Sequence, residues 1–186
     1  NDFVFSNKSD RDREIQLVKN WVDATAKLGA IVLRVFAGKS ELPGYSWGEI
    51  SNWVVEALKE CTEYASKKGI IIGIQNHNDF IKTADQAIDI ITRVNSPWCG
   101  LILDVGSYRE KEVYAEIEKS IPYAVNWQLK ETVFSGKIEI PIDLKKTFDL
   151  IRASHYRGYI PIETLRKGDP TSIVPEFLAQ VKPYMF

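Results

Sequence analysis

Polar side chains end or follow several short apolar runs of this sequence, and their types suit acid–base chemistry and cation binding. Gln75 and His77 belong to one run, Asp104 to the next, and Lys130 and Glu163 to the two after it. A divalent cation held by carboxylate, amide and imidazole groups could polarise a sugar carbonyl or hydroxyl. Glu163 could then act as a general base, while Lys130 or His77 moves a second proton or stabilises an enediolate. These residue types therefore predict proton transfer at a carbon next to a carbonyl.

Each of these residues also has a plain structural interpretation. Asp104 and Glu163, taken singly, could cap a helix or accept a hydrogen bond from the following loop. Lys130 could pair with Glu131 or Glu163, and His77 could be a hydrogen-bonded loop residue. Because the polar residues stand at equivalent places after successive runs, a shared site is the favoured interpretation.

Three further residues are candidates for substrate binding. Arg34 interrupts an apolar run, and burying it unpaired would be costly, so we expect either an internal partner or a substrate or phosphate group. Asn126 falls on the same side of its strand as the polar residues two and four positions later. Trp47 flanks a loop and could stack on a sugar ring, although packing is the alternative for this aromatic side chain.

The candidate residues are spaced by a regular alternation of amphipathic helical patterns with short runs rich in β-branched residues. The predicted strands are 31–36, 70–75, 100–104, 124–130 and 158–163. The predicted helices are 10–28, 50–65, one capped by Thr83, 113–121, one opened by Asp143 and one following Pro170. Such alternation is typical of a parallel sheet wrapped by helices.

We therefore predict an α/β fold, a (β/α)₈ TIM barrel that lacks about its first two to three strands. The chain has 186 residues, whereas a complete barrel usually needs roughly 250. Residues 1–186 are interpreted as one N-terminally incomplete domain, with 1–5 as the end of the third strand. The alternative is an open doubly wound sheet, but the sequence has no glycine-rich phosphate-binding turn.

Composition narrows the class of partner. The 24 Lys and Arg nearly balance the 25 Asp and Glu, so no broad field attracts nucleic acid or a membrane surface. Two cysteines are too few for a disulfide framework or a thiolate metal site, and core packing is expected for both. The expected partner is a small carbohydrate, and a homo-oligomer is left open. We expect a cytoplasmic protein. Because residues 1–3 look like a cut end, a signal peptide upstream of residue 1 is the alternative.

Short segments along the chain form a pattern that is more specific in its order and spacing than any one segment. They are 1–3, 28–30, 33–38, 73–80, 83–86, 94–97, 103–106, 128–130 and 156–163. Together they run nearly end to end. The sequence thereby resembles the xylose isomerase-like TIM-barrel superfamily, specifically the sugar phosphate isomerase and epimerase group that also contains a type of AP endonuclease.

The resemblance implies four metal ligands, a Glu, an Asp, a His and a Glu, at the ends of the last four strands. The corresponding positions are Gln75, Asp104, Gln128 and Glu163. Gln75 cannot serve as a carboxylate base, and Gln128 offers an amide oxygen in place of an imidazole nitrogen. The cofactor implied is a divalent metal (Mg²⁺, Mn²⁺, Zn²⁺ or Co²⁺), bound more weakly than in the family or not at all.

The leading functional hypothesis is an enzyme of carbohydrate metabolism, a sugar or sugar-phosphate isomerase or epimerase that acts by metal-assisted proton transfer. A two-base epimerisation loses one base at Gln75, whereas one-base chemistry at Glu163 is retained. The alternatives are a keto-sugar lyase or dehydratase and a non-catalytic carbohydrate-binding protein with a degenerate metal site. An AP endonuclease is discarded, because a multi-zinc cluster needs more histidines than His77 and His155.

Overall fold

Five parallel strands form the sheet that carries the polar residues. The computed structural model describes residues 1–39 and 41–185. The strands are β1 Val32–Val35, β2 Ile71–Gln75, β3 Cys99–Asp104, β4 Ala124–Lys130 and, after a separate hairpin, β7 Ile162–Glu163. They pair in the order β1-β2-β3-β4-β7, each parallel to its neighbour. All five predicted sheet strands are present, although the last one covers only 162–163 of the predicted 158–163. They form the curved, incomplete barrel expected from the sequence.

Helices connect the strands and cover the outer face of the sheet. They are α1 Lys8–Lys27, α2 Trp47–Ser66, α3 Ala84–Val94, α4 Val113–Ser120, α5 Leu144–Ala153 and α6 Pro170–Val181, with short 3₁₀ turns at Ile121–Tyr123 and Lys182–Tyr184. Thr83 caps α3 through a reciprocal pair with Gln86, and the Asp143 side chain caps α5, as predicted. In the described part of the chain, no helix is both long enough and apolar enough to cross a membrane.

Two other regions differ from the sequence prediction. The stretch expected as a connection between Lys130 and Asp143 contains an antiparallel hairpin, β5 Thr132–Ser135 and β6 Ile138–Pro141. Each strand is only four residues long, so its alternation is too brief to stand out from a loop. Residues 1–5 form no strand, although the Phe3 amide donates to the Ala37 carbonyl at 2.8 Å, beside the end of β1.

Alternation along the strands separates an apolar face from a polar one. Ile72, Ile74, Leu101 and Leu103 are fully buried in the core shared with the helices. The intervening residues face the inner side of the sheet, where Gly73 leaves room for Ile102; a Cβ on Gly73 would lie 2.5 Å from the Ile102 Cδ1 atom. The same alternation turns the polar residues at the strand ends toward one another.

Both cysteines belong to the apolar core, as expected. Cys61 and Cys99 are buried free thiols, and burial raises the pKa of each to about 12. A thiol that stays protonated at neutral pH is a poor nucleophile and a poor metal ligand. Neither cysteine contributes reactive chemistry to the inner face.

Candidate functional site

Asp104 is the centre of a buried polar cluster at the carboxyl ends of the strands. Its side chain is completely buried. Its Oδ2 atom accepts hydrogen bonds from Gln75 Nε2 at 2.8 Å, Lys130 Nζ at 2.8 Å and Ser107 Oγ at 2.6 Å. Its Oδ1 atom accepts from the Gly106 amide at 3.0 Å. Four donors therefore compensate the cost of removing this carboxylate from water.

The neighbouring strand fixes the backbone of Asp104 as well. Asn76 Nδ2 donates to the Asp104 carbonyl at 2.9 Å, and the Asp104 amide donates to Asn76 Oδ1 at 2.9 Å. Asn76 is itself fully buried. Sequence reasoning missed Asn76 and Ser107 as parts of the site. The available signal was that both lie within one to three residues of a strand-ending polar residue.

Lys130 connects the two carboxylates of the site. Its ammonium lies 2.8 Å from Asp104 Oδ2 and 3.7 Å from Glu163 Oε2, and its side chain is only 10% exposed. Residues 130 and 163 are register partners between β4 and β7, which places their side chains on the same face. Glu163 Oε2 is buried and has no hydrogen-bond partner among the described residues. The pair presents one donor and one free acceptor next to each other.

A glycine makes room for the Lys130 side chain. A Cβ on Gly106 would lie 2.6 Å from Lys130 Cδ and 3.1 Å from the Thr132 carbonyl oxygen. The lysine stem therefore passes directly over the Gly106 backbone on its way to Asp104.

Gly106→Ala should displace Lys130 from Asp104 and destabilise the protein by about 1–3 kcal/mol, the usual cost of overpacking a tight site. Urea denaturation measures this change. The matched control is Gly48→Ala in the first turn of α2, where the nearest atom to an added Cβ is 3.9 Å away. If both variants lose the same stability, a clash with Lys130 is not the reason that position 106 needs glycine.

The four positions that correspond to the family's metal ligands come together, but they do not present four lone pairs to a central ion. Gln75 Nε2 donates to Asp104 Oδ2 at 2.8 Å and to Gln128 Oε1 at 2.5 Å. The Gln75 Oε1 atom is buried and has no partner. Within residues 1–39 and 41–185, no three His, Cys, Asp or Glu side chains are grouped so that they could hold a metal ion. The donor set does not fit a divalent cation.

A cavity of about 340 Å³ opens beside the Lys130–Glu163 pair. It is lined by Lys130, Glu131, Thr132, Glu139, Glu163, Leu165, Arg166 and Lys167. The volume falls in the range of sites for small ligands, which is roughly 300–1,000 Å³. The unpredicted hairpin contributes Thr132 and Glu139 to the wall, so the hairpin is part of the candidate site. A larger cavity of about 470 Å³ lies against α5 around Phe148 and Tyr184, and among residues 1–39 and 41–185 no Asp or Glu lines it.

The structure does not bring His77 into the cluster. Its side chain is 51% exposed, with Nδ1 3.7 Å from Asp79 Oδ2, and its ring packs edge-on against Phe36 at a centroid distance of 5.1 Å. Burial raises the pKa of the Asp79 carboxyl. The local contacts of His77 match its interpretation as a loop residue.

Arg34 is the register partner of Gly73 and so lies on the inner face of the sheet. Its pairing inside the barrel, or its binding of a substrate or phosphate group, stays a prediction. Arg34 is exposed, and its guanidinium carbon lies over the Phe36 ring, 5.0 Å from the centroid. At this exposed position the guanidinium charge stays hydrated.

The other two proposed substrate-binding residues make local contacts. Asn126 Oδ1 accepts from the Trp127 amide at 2.8 Å. Trp47 begins α2 and stacks on Phe80, with ring planes 6° apart and centroids 5.8 Å apart. Neither residue lines the cavity beside Lys130. The stacking of Trp47 on Phe80 corresponds to the packing alternative for this residue.

Comparison with solved structures shows the same fold in several proteins. The apo 3-keto-D-glucoside 4-epimerase from E. coli superposes with a TM-score of 0.80 and 18% identity, over 97% of this chain and 74% of that one. The zinc-bound IOLI protein gives a TM-score of 0.78 and 17% identity, over 98% of this chain and 71% of that one. The D-allulose 3-epimerase from Methylomonas sp. in complex with D-allulose gives a TM-score of 0.74 and 18% identity, over 96% of this chain and 65% of that one. Identities this low establish the fold alone.

Family membership comes from the sequence itself. No protein with a curated description matches the sequence. The xylose isomerase-like TIM barrel family, in contrast, matches residues 2–181. That span includes every strand of the sheet, the hairpin and the whole polar cluster. The chain belongs to the xylose isomerase-like TIM barrel family.

Proposed function

We propose that this protein is a sugar isomerase or epimerase that transfers a proton at a carbon next to a carbonyl. The observation that carries the proposal is Glu163 Oε2, a buried carboxylate oxygen without a partner, 3.7 Å from the Lys130 ammonium. Both residues line a cavity of about 340 Å³. The similar folds of a 3-keto-D-glucoside 4-epimerase and a D-allulose 3-epimerase support a sugar as the substrate.

The chemistry follows from the charges of these two side chains. The Glu163 carboxylate removes the proton from the carbon next to the sugar carbonyl, and the electron pair moves onto the carbonyl oxygen. The Lys130 ammonium donates a hydrogen bond to that oxygen and stabilises the enediolate. In the aldose–ketose shift, the hydroxyl proton on the deprotonated carbon moves to the former carbonyl oxygen, and protonated Glu163 delivers its proton to the former carbonyl carbon. Return of the proton to the original carbon regenerates the starting carbonyl sugar. Asp104 holds Lys130 in position through the 2.8 Å contact between them.

A single base favours isomerisation over epimerisation. A two-base epimerase needs a second group on the opposite face of the substrate, and the resemblance places that group at residue 75. Gln75 has no titratable proton, and its amide nitrogen is already bonded to Asp104 and Gln128. We therefore propose an aldose–ketose shift through a cis-enediol as the principal reaction.

The charges around the cavity favour a neutral sugar. Its wall carries the cations Lys130, Arg166 and Lys167 and the carboxylates of residues 131, 139 and 163. Arg166 is already paired with Glu131 at 3.1 Å and with Glu176. A phosphate group would meet as many carboxylates as cations, which weakens its binding.

Solvent deuterium exchange tests the proposal. The protein is incubated in D₂O with neutral aldoses and ketoses, and in parallel with their phosphate esters. We expect deuterium at the carbon next to the carbonyl in at least one neutral sugar, and slower exchange in its phosphate ester. If sugars raise the melting temperature but none exchanges, the protein is instead a carbohydrate-binding module. Asp104 supports that alternative, because all four of its bonds are made within the protein.

A further inference from the structure

A positive charge belonging to the protein already lies between the two carboxylates of the site. Lys130 Nζ is 2.8 Å from Asp104 Oδ2 and 3.7 Å from Glu163 Oε2. The Lys130 side chain is 10% exposed, and the Asp104 side chain is fully buried. A divalent ion bound to both carboxylates would have to displace this ammonium or lie beside it, and like charges at such distances repel strongly in a buried site.

The two amides strengthen this arrangement. The Gln75 NH₂ group donates to both Asp104 Oδ2 and Gln128 Oε1. Turning the Gln75 amide to offer its oxygen to a metal would place that oxygen 2.8 Å from one acceptor and 2.5 Å from the other. Oxygen lone pairs at these distances repel without an intervening proton or cation. As long as no cation lies between them, the neighbours of Gln75 therefore hold its donor side toward the centre.

We propose that the Lys130 ammonium takes the place of a divalent cation in this chain, so that the site binds and turns over its sugar without added metal. Glu131, Glu139 and Lys167 also face this cavity, whereas the four donors to the Asp104 carboxylate are Gln75, Gly106, Ser107 and Lys130. The ammonium neutralises the buried carboxylate and supplies a hydrogen bond to the sugar carbonyl. The part of this inference that concerns turnover rests on the proposed function, whereas the part that concerns metal exclusion does not.

The first test uses the wild-type protein. Chelator-treated protein is titrated with Mg²⁺, Mn²⁺, Co²⁺ and Zn²⁺ by calorimetry, and sugar-induced melting shifts and deuterium exchange are measured with and without each ion. We expect no saturable binding at the site, and exchange rates and melting shifts that stay the same. Metal binding that is lost in Asp104→Ala, or exchange that falls about tenfold or more on chelation and returns with one ion, would overturn the proposal.

The second test isolates the ammonium. Gln75→Glu/Gln128→His restores the carboxylate and imidazole of the family pattern while Lys130 is retained, and a third change, Lys130→Met, removes the charge from a stem of similar length. We expect the triple variant to bind Zn²⁺ or Mn²⁺ about tenfold or more tightly than the double variant. Equal affinities would show that Lys130 does not exclude the ion. Circular dichroism confirms that each variant folds, and the wild-type titration decides the question if one does not.

Failure of this inference differs from failure of the proposed function. Deuterium exchange that depends on a metal ion would support a sugar isomerase and overturn the role given to Lys130. The opposite outcome is that no sugar exchanges deuterium, while metal binds only after Lys130 is removed. That outcome would support the exclusion of metal by Lys130 and contradict the proposed reaction.

Discussion

Asp104→Asn should lower the free energy of unfolding by about 2–4 kcal/mol, because it leaves the Lys130 ammonium buried without its closest counter-charge. The same change places an NH₂ group where a carboxylate oxygen now accepts bonds, from the Gly106 amide on one side or from Gln75, Lys130 and Ser107 on the other. The estimate lies below the usual cost of breaking a buried pair, since Glu163 lies 3.7 Å from the ammonium. Urea denaturation monitored by circular dichroism measures the loss.

A matched surface carboxylate provides the control. Asp149 pairs with Lys145 at 2.8 Å and Arg152 at 2.6 Å, but its side chain is 48% exposed. Asp149→Asn should therefore leave the urea midpoint nearly unchanged, since exposed ion pairs are screened by solvent. The double variant Asp104→Asn/Lys130→Met should be more stable than Asp104→Asn alone, because it also removes the unpaired charge. If the double variant is the less stable of the two, the ion pair is not what makes Asp104 important.

The fold could be predicted because local and global signals agree along most of the chain. Thr83 and Asp143 cap the helices they were expected to cap, and all five β-branched runs lie in one parallel sheet. The hairpin at 132–141 was missed because its strands are four residues long and Val133 is the one buried residue in them, so burial imposes no clear alternation. The last strand was predicted too long, since only Ile162 and Glu163 pair with β4 at the edge of the sheet.

The location of the candidate site could be predicted more completely than its internal contacts. Polar residues that end successive parallel strands are expected to meet at one edge of the sheet. The five residues predicted in this way do lie together: Gln75, Asp104, Gln128, Lys130 and Glu163. Which atom donates to which depends on distances of a few tenths of an ångström, and spacing along the sequence does not contain them.

Glu163→Gln should reduce the rate of deuterium exchange by about 100- to 10,000-fold, the usual contribution of a positioned general base. The amide keeps the size of the side chain and still accepts a hydrogen bond, so sugar-induced melting shifts should persist while turnover is lost. Stability should change little, because Glu163 Oε2 has no hydrogen-bond partner to lose and its contact with Lys130 is long, at 3.7 Å. Exchange rates and sugar affinities measured on the same preparations separate these effects.

Glu139→Gln is the control from the same cavity. Glu139 also lines the cavity, but it is exposed and its Oε1 accepts a hydrogen bond from Thr132 Oγ1 at 2.6 Å. A carboxylate that is hydrated and already bonded is a weaker candidate for the base, so Glu139→Gln should show a far smaller loss of exchange. If Glu163→Gln exchanges deuterium into the sugar as fast as the wild type, the base is a different residue. A large loss of exchange in Glu139→Gln would identify Glu139 as the base. In the described part of the chain, Glu131 is the remaining carboxylate that lines the cavity.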